Sequence, residues 1–155
     1  MTTLRRLQGI TYWVIENPDE IADFINSNIR KEWEADLRSV GRDRREDPWL
    51  QTLSRRRWRL EVVDADRIVL NPDIINYVDP EEGYSFQASL ARRRKELRTV
   101  IETYGVVIWP VIVSEEDMLL GDGYCRLTAL REMGISQVYA YMGNLQNKRS
   151  AEPTL

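Results

Sequence analysis

The sequence contains no histidine and only one cysteine, Cys125. Without histidine, a Ser–His–Asp triad, a histidine general base and a histidine metal ligand are all excluded. Any acid–base chemistry falls to Asp, Glu, Lys, Tyr or Cys. One cysteine closes no intramolecular disulfide and supplies no cysteine-based zinc cluster. Lysine is scarce as well, with three against nineteen arginines, a balance that suits phosphate and carboxylate recognition but whose plainer account is a GC-rich coding sequence. No apolar run reaches the roughly 18 residues that a membrane-spanning helix needs. Met1–Gln8 carries two arginines, but no apolar stretch of signal-peptide length follows. These absences lead to the expectation of a soluble, cytoplasmic protein with no membrane partner. A large excess of one charge is missing too: the net charge of −3 argues against a surface coated for non-specific nucleic-acid binding.

What is present fits one domain with an extension, since 155 residues can bury a sizeable core. Ile10, Tyr12, Trp13, Val14 and Ile15 suggest a short strand or packed arm. Asn17-Pro18-Asp19-Glu20 is a helix start, because Asn17 can cap and Pro18 fits the first helical position. Ile21, Phe24, Ile25, Ile29, Trp33 and Leu37 form the apolar stripe behind it, and Gly41 is a stop. A charged linker over residues 42–48 ends at Pro48, and Trp49-Leu50 with Leu53 suggests a short helix. Arg55-Arg56-Arg57-Trp58-Arg59 has two readings. It is a basic patch that holds phosphates or stacks a base on Trp58, or a charged edge with one buried indole, paired with Glu46 and Asp47.

Leu60–Asp64 alternates like a strand, and Ile68–Leu70 continues extended as far as Asn71-Pro72. Residues 73–84 read as a loop that concentrates the carboxylates Asp73, Asp79, Glu81 and Glu82. Ser85 caps a helix running to Thr103, with Phe86, Leu90, Leu97, Val100 and Ile101 inward and Arg92-Arg93-Arg94-Lys95 mostly outward. Gly105 returns the chain to an apolar strand, Val106–Val113. A second short strand, Met118–Leu120, runs into Gly121-Asp122-Gly123-Tyr124-Cys125-Arg126. A helix opens there, with Leu127, Ala129, Leu130 and Met133 on one side and Gly134 as stop, and a last strand alternates from Gln137 to Met142.

A strand that runs through Gly-Asp-Gly into a helix presents backbone N–H groups and a positive dipole end, a ready anion site. Asp122 would supply a general base or metal ligand and Arg126 a bidentate phosphate clamp. The plainer account is a tight strand–helix corner, and a lone Gly-x-Gly does not decide between them.

From residue 59 onward the order of elements, with VVDADRIVLNP, LRTVIETYGVVIWPVIV and LLGDGYCRLTALREMGISQVYAYM, resembles the ParB/sulfiredoxin-like superfamily. The resemblance implies an α/β (α+β) domain over residues 59–143: a small mixed sheet with flanking helices. An N-terminal helical extension over 1–58 would precede it and a polar tail over 144–155 follow. Sulfiredoxins place a cysteine directly after the second glycine of the turn, where this chain has Tyr124; Cys125 falls one residue later. ParB-type partition proteins bind CTP at this turn and carry a separate helix-turn-helix domain. Of their arginine pair only Arg126 is present, and the residues after Gly143 are too few to lead one to expect that domain. The closest motif is Asp-Gly-His-His-Arg of the free serine kinase-type branch, matched by Asp122, Gly123 and Arg126, with Tyr124 and Cys125 in place of the histidines.

That likeness implies nucleotide-dependent phosphotransfer to a small hydroxylated metabolite, with ADP, ATP or CTP and Mg as cofactors. Asp122 would activate the acceptor or bind Mg, and Asp73, Glu81 or Glu82 would be the second carboxylate. Gly121, Gly123, Tyr124, Cys125, Arg126 and Thr128 would hold the phosphates. The alternative is a non-catalytic nucleotide-binding module, regulatory or DNA-associated, that uses Arg55–Arg59 and Arg92–Arg94 as its contact surface.

Overall fold

The computed structural model describes residues 1–39 and 48–145. The expected linker, the Gly41 stop and the 146–155 part of the tail lie outside the described residues. The first 15 residues form a hairpin rather than one strand: β1 (Thr2–Leu7) pairs antiparallel with β2 (Ile10–Ile15). Asn17 then caps as expected, its Oδ1 accepting from the N–H groups of Asp19 and Glu20 at 2.9 and 3.1 Å. Helix α1 (Pro18–Phe24) passes through a π-helical stretch, Ile25–Ile29, into α2 (Arg30–Ser39). The stripe itself accounts for that stretch. Ile21, Ile25 and Ile29 recur every four residues, which in a regular α-helix drifts by about 40° per step. A wider π turn holds all three against the sheet, where they are buried.

After α3 (Pro48–Thr52), β3 (Arg56–Asp64) begins the main sheet. Next come α4 (Pro72–Ile75), the two-residue strands β4 (Val78–Asp79) and β5 (Tyr84–Ser85), and α5 (Phe86–Tyr104). The chain finishes with β6 (Val111–Ser114), β7 (Leu120–Asp122), α6 (Tyr124–Glu132) and β8 (Gln137–Leu145). Several boundaries differ from the sequence reading: β3 already starts at Arg56 rather than Leu60, and β7 covers Leu120–Asp122 rather than Met118–Leu120. The apolar run 106–110 precedes β6 and makes only an isolated bridge, Ile108 to Tyr12. Pro110, lacking an N–H, ends that segment before the ladder starts. β8 also runs on through Gly143 to Leu145. Finally, residues 72–75 are helical, not loop: Asn71 accepts from the Asp73 N–H at 3.0 Å, the same Asn-Pro-Asp start that opens α1.

The sheet order is β3-β8-β6-β7, with β6 and β8 parallel and the other neighbours antiparallel. This is a mixed α/β fold with a small mixed sheet and helices on both faces. Period-two alternation on β6 makes the layers visible. Val111 and Val113 join Leu90, Ile101, Leu127 and Leu130 of α5 and α6 in one core. Ile112 points the other way, into a second core with Ile21, Ile25, Ile29, Leu50, Leu53, Trp58 and Tyr141. Fully burying one such aliphatic side chain is worth about 1.5–3 kcal/mol, so each face secures its helices independently. The N-terminal segment belongs to both cores: Ile10, Tyr12 and Val14 pack in the first and Ile15 in the second.

Candidate functional site

The Gly-Asp-Gly run sits where β7 leaves the sheet. Ile112 pairs with Asp122 and Val113 with Leu120, so Gly121 is an extra residue in the ladder. Such bulges re-aim the following side chain and are frequent beside active sites. The Trp49 ring lies against Gly121; a Cβ there would be 2.9 Å from its Cζ2. Gly123 has φ +107° and precedes the first turn of α6, giving it no side-chain cap. The helix therefore opens with uncapped N–H groups at its positive dipole end.

Asp122 and Arg126 do not stand apart around this opening. They bind each other, Arg126 Nη2 donating to Asp122 Oδ2 at 2.8 Å. Arg126 Nη1 donates to the carbonyls of Trp109 and Pro110 at 2.9 and 3.0 Å, which ties the start of β6 to α6. The other oxygen of Asp122 accepts from Trp33 Nε1 at 3.4 Å. Trp33 in turn packs edge-on to Trp49 at 5.7 Å. Asp36, on α2 with Trp33, has its carboxyl pushed up, first by burial and then by the charge of Asp122, with Arg93 opposing. The N-terminal helices thus form one wall of the site. Sequence reasoning placed Trp33 and Trp49 in apolar packing and did not assign Asp36; a separation of 89 residues leaves no local signal for the Trp33–Asp122 contact.

Trp109 forms the rim. The residue is 37% exposed, and its ring stacks on Phe24 with centroids 5.1 Å apart.

The remaining predicted residues divide. Tyr124 is buried; its hydroxyl accepts from the Asn71 N–H and donates to the Leu120 carbonyl, both at 3.1 Å. Only its backbone N–H can face a ligand. Thr128 turns its hydroxyl back to the carbonyls of Tyr124 and Cys125 at 2.7 and 3.3 Å, so it is not an extra phosphate donor as it stands. The Cys125 thiol is pushed up, not down: burial outweighs the pull of Arg93, Arg126 and Arg94.

Asp73 is exposed at the start of α4, and Glu81 and Glu82 are exposed in the β4–β5 turn, where their N–H groups donate to Asp79 Oδ1 at 3.1 and 3.4 Å. The 71–86 segment does flank α6, through Asn71 and through Phe86 edge-on to Tyr124 at 5.7 Å. Among the described residues no group of three or more acidic, cysteine or histidine side chains could hold a metal. A magnesium ion needs fewer protein ligands when it arrives with phosphates, so Asp122 alone is compatible with one.

The arginine-rich run resolves toward structure. Trp58 is only 3% exposed, lying against Gly143, and has no face for a base. Arg56 donates to Ser114 Oγ, Glu116 and the Gly143 carbonyl at 3.2, 3.1 and 2.9 Å and lies over the Trp49 ring. Arg59 is held by Glu115 at 2.6 Å and Glu61 at 2.8 Å. The partners proposed from sequence, Glu46 and Asp47, fall outside the described residues. On α5, Arg94 pairs with Glu132 at 2.8 Å, and Arg93 lies 5.8 Å over the Phe86 ring. No described helix is long and apolar enough to cross a membrane.

Comparison with known proteins adds little to this geometry. No family model matches the chain, and no curated protein matches it. Two solved structures of a pNOB8-like ParB N-domain align at 17% identity. They cover 61% and 59% of this chain, with TM-scores of 0.41 and 0.39. The aligned part spans 32% and 30% of those chains, about a third of their length.

Proposed function

We propose that this chain is a nucleotide-binding module whose phosphate subsite is the first turn of α6 together with Arg126. The observation that carries the reading is the uncapped helix start at Gly123, with the Arg126 guanidinium anchored at the same opening. Backbone N–H groups of Tyr124, Cys125 and Arg126 would meet the phosphates, and a Mg ion would be shared between them and Asp122. The match of Asp122, Gly123 and Arg126 to the Asp-Gly-His-His-Arg motif supports the same ligand class. CTP, ATP and ADP are the nucleotides of choice.

Binding without turnover is favoured over phosphotransfer because both Asp122 oxygens are engaged, by Arg126 and Trp33. Phosphotransfer to a small hydroxylated metabolite is the second reading. Its support is the Asp122 carboxylate at the mouth of the helix, the place where a base or metal ligand acts in phosphoryl transfer.

The test is thermal stability with ADP, ATP, CTP, AMP and inorganic phosphate, each with and without Mg, read against every variant's own unliganded Tm. A ligand at 100 times its Kd stabilises by about 2.7 kcal/mol. A shift with one nucleotide that Arg126→Ala loses and Asp122→Asn keeps supports the module. Turnover of that nucleotide, abolished by Asp122→Asn, would transfer the assignment to the kinase reading. No shift with any member of the panel would overturn both.

A further inference from the structure

We propose that the free edge of β3 is a self-recognition surface, on which two copies of this chain pair antiparallel and continue the sheet across a two-fold axis. β3 is the edge strand of the order β3-β8-β6-β7, nine residues long, and among the described residues it pairs only with β8. One whole row of its backbone N–H and C=O groups is thus available for a further strand.

Charge decides which strand fits. The first half of β3 carries Arg56, Arg57 and Arg59, and the second half carries Glu61 and Asp64. An antiparallel copy of the same strand lays the basic half against the acidic half. With the two-fold axis through Leu60, Arg59 stands opposite Glu61 of the second copy, a pair that occurs twice, while Arg56, its side chain only 9% exposed, keeps its own partners Ser114 and Glu116. Trp58 then stands opposite Val62, an apolar residue left 40% exposed in the single chain. Shifting the axis by one residue either way puts Arg59 or Glu61 opposite itself, and like charges directly opposed are destabilising. A parallel arrangement in register would oppose every charge to its own kind. The same charges that deter indiscriminate edge pairing therefore favour a second copy in the register centred on Leu60, the one that pairs Arg59 with Glu61.

The side chains are already poised. Arg59 is half-exposed and holds Glu115 through both terminal nitrogens and Glu61 through Nη2. In the pair it keeps Glu115 and exchanges its own Glu61 for that of the second copy, so neither carboxylate is stranded. The contact is isologous, as two-fold dimers require, and consumes the β3 edge of both copies, leaving only the three-residue β7 at each outer edge.

Sedimentation equilibrium over a range of protein concentrations tests the pairing, with circular dichroism confirming that each variant is folded. The wild type is expected to dimerise, while Arg59→Glu and Glu61→Arg each sediment as monomers, because each opposes like charges. An equimolar mixture of the two variants should regain the dimer, since each then supplies the sign that the other lacks. A wild type that stays monomeric up to the solubility limit overturns the proposal. So does a dimer that persists in both single variants, or a mixture that stays monomeric.

Discussion

Replacing Gly123 by alanine is expected to cost the fold about 3 kcal/mol, and the structure separates that cost into two parts. The first is conformational. At φ +107° an L side chain is strained by about 1–2 kcal/mol. The second is steric. A Cβ built on Gly123 lies 2.6 Å from Val111 Cγ1 and 3.0 Å from Arg126 Nη2. The arginine tip can yield, but Val111 is buried on β6 and cannot swing away. Overpacking of this kind costs about 1–3 kcal/mol. Gly134→Ala is the control, because φ there is +78° and nothing lies within 4 Å of the added carbon. It should carry the conformational cost alone, about 1–2 kcal/mol. Urea unfolding monitored by tryptophan fluorescence measures both, with equal slopes indicating that the unfolded states are comparable. Combining Gly123→Ala with Val111→Ala should recover roughly 1–2 kcal/mol relative to additivity, since the second change removes the obstructing methyl. A Gly123→Ala cost no larger than that of Gly134→Ala, or strict additivity with Val111→Ala, would refute the steric argument.

Two further outcomes follow from the electrostatics. Burial acts to raise the Glu116 carboxyl, but the Ser114 hydroxyl at 2.6 Å, the Leu145 N–H and Arg56 outweigh it and hold the carboxyl at about 2. A depressed folded pKa contributes stability above the ordinary value of 4.5 that is lost as pH falls toward about 2. The Glu116 side chain is 42% exposed, so solvent screening reduces the contribution to roughly 1 kcal/mol. Unfolding free energy should fall across that window, and Glu116→Gln should flatten the profile; an equally steep profile in the variant would sink the assignment. Cys125, its thiol pushed up by burial, should react with iodoacetamide at neutral pH more slowly in the folded protein than in urea. Faster labelling of the folded chain would mean that the helix start activates the thiol after all.

The local elements were legible because their signals are local. Asn17-Pro18, Ser85 and Gly105 each satisfy backbone groups within a few residues, and the start of α1 and both ends of α5 lie where those residues put them. The one missed helix, α4, carried the same Asn-Pro-Asp signature at Asn71 and was obscured only by its four-residue length. The stripe of isoleucines at fourfold spacing even carried the signature of the π stretch, because that spacing suits a turn wider than 3.6 residues.

What the sequence by itself determined was therefore the run of caps, stripes and turns, including a helix that opens on glycine with Asp122 before it and Arg126 after it. Only tertiary structure decided what those two side chains do. Arg126 could face a ligand or its own carboxylate, and the geometry of the Trp109–Pro110 carbonyls and the Trp33 indole turned it onto Asp122. The arginines of β3 could be a nucleic-acid surface or structural cations, and the arrival of Ser114, Glu115 and Glu116 beside them made Arg56 and Arg59 structural. Trp33 lies 89 residues from Asp122, the Ser114, Glu115 and Glu116 partners 56 to 60 from the β3 arginines, and the Trp109 and Pro110 carbonyls 17 and 16 from Arg126, whereas periodicity and capping report only on the next few. Charge and hydrogen-bonding capacity are written in the residue; the partner that satisfies them is chosen by the packing of the sheet and its two helical layers.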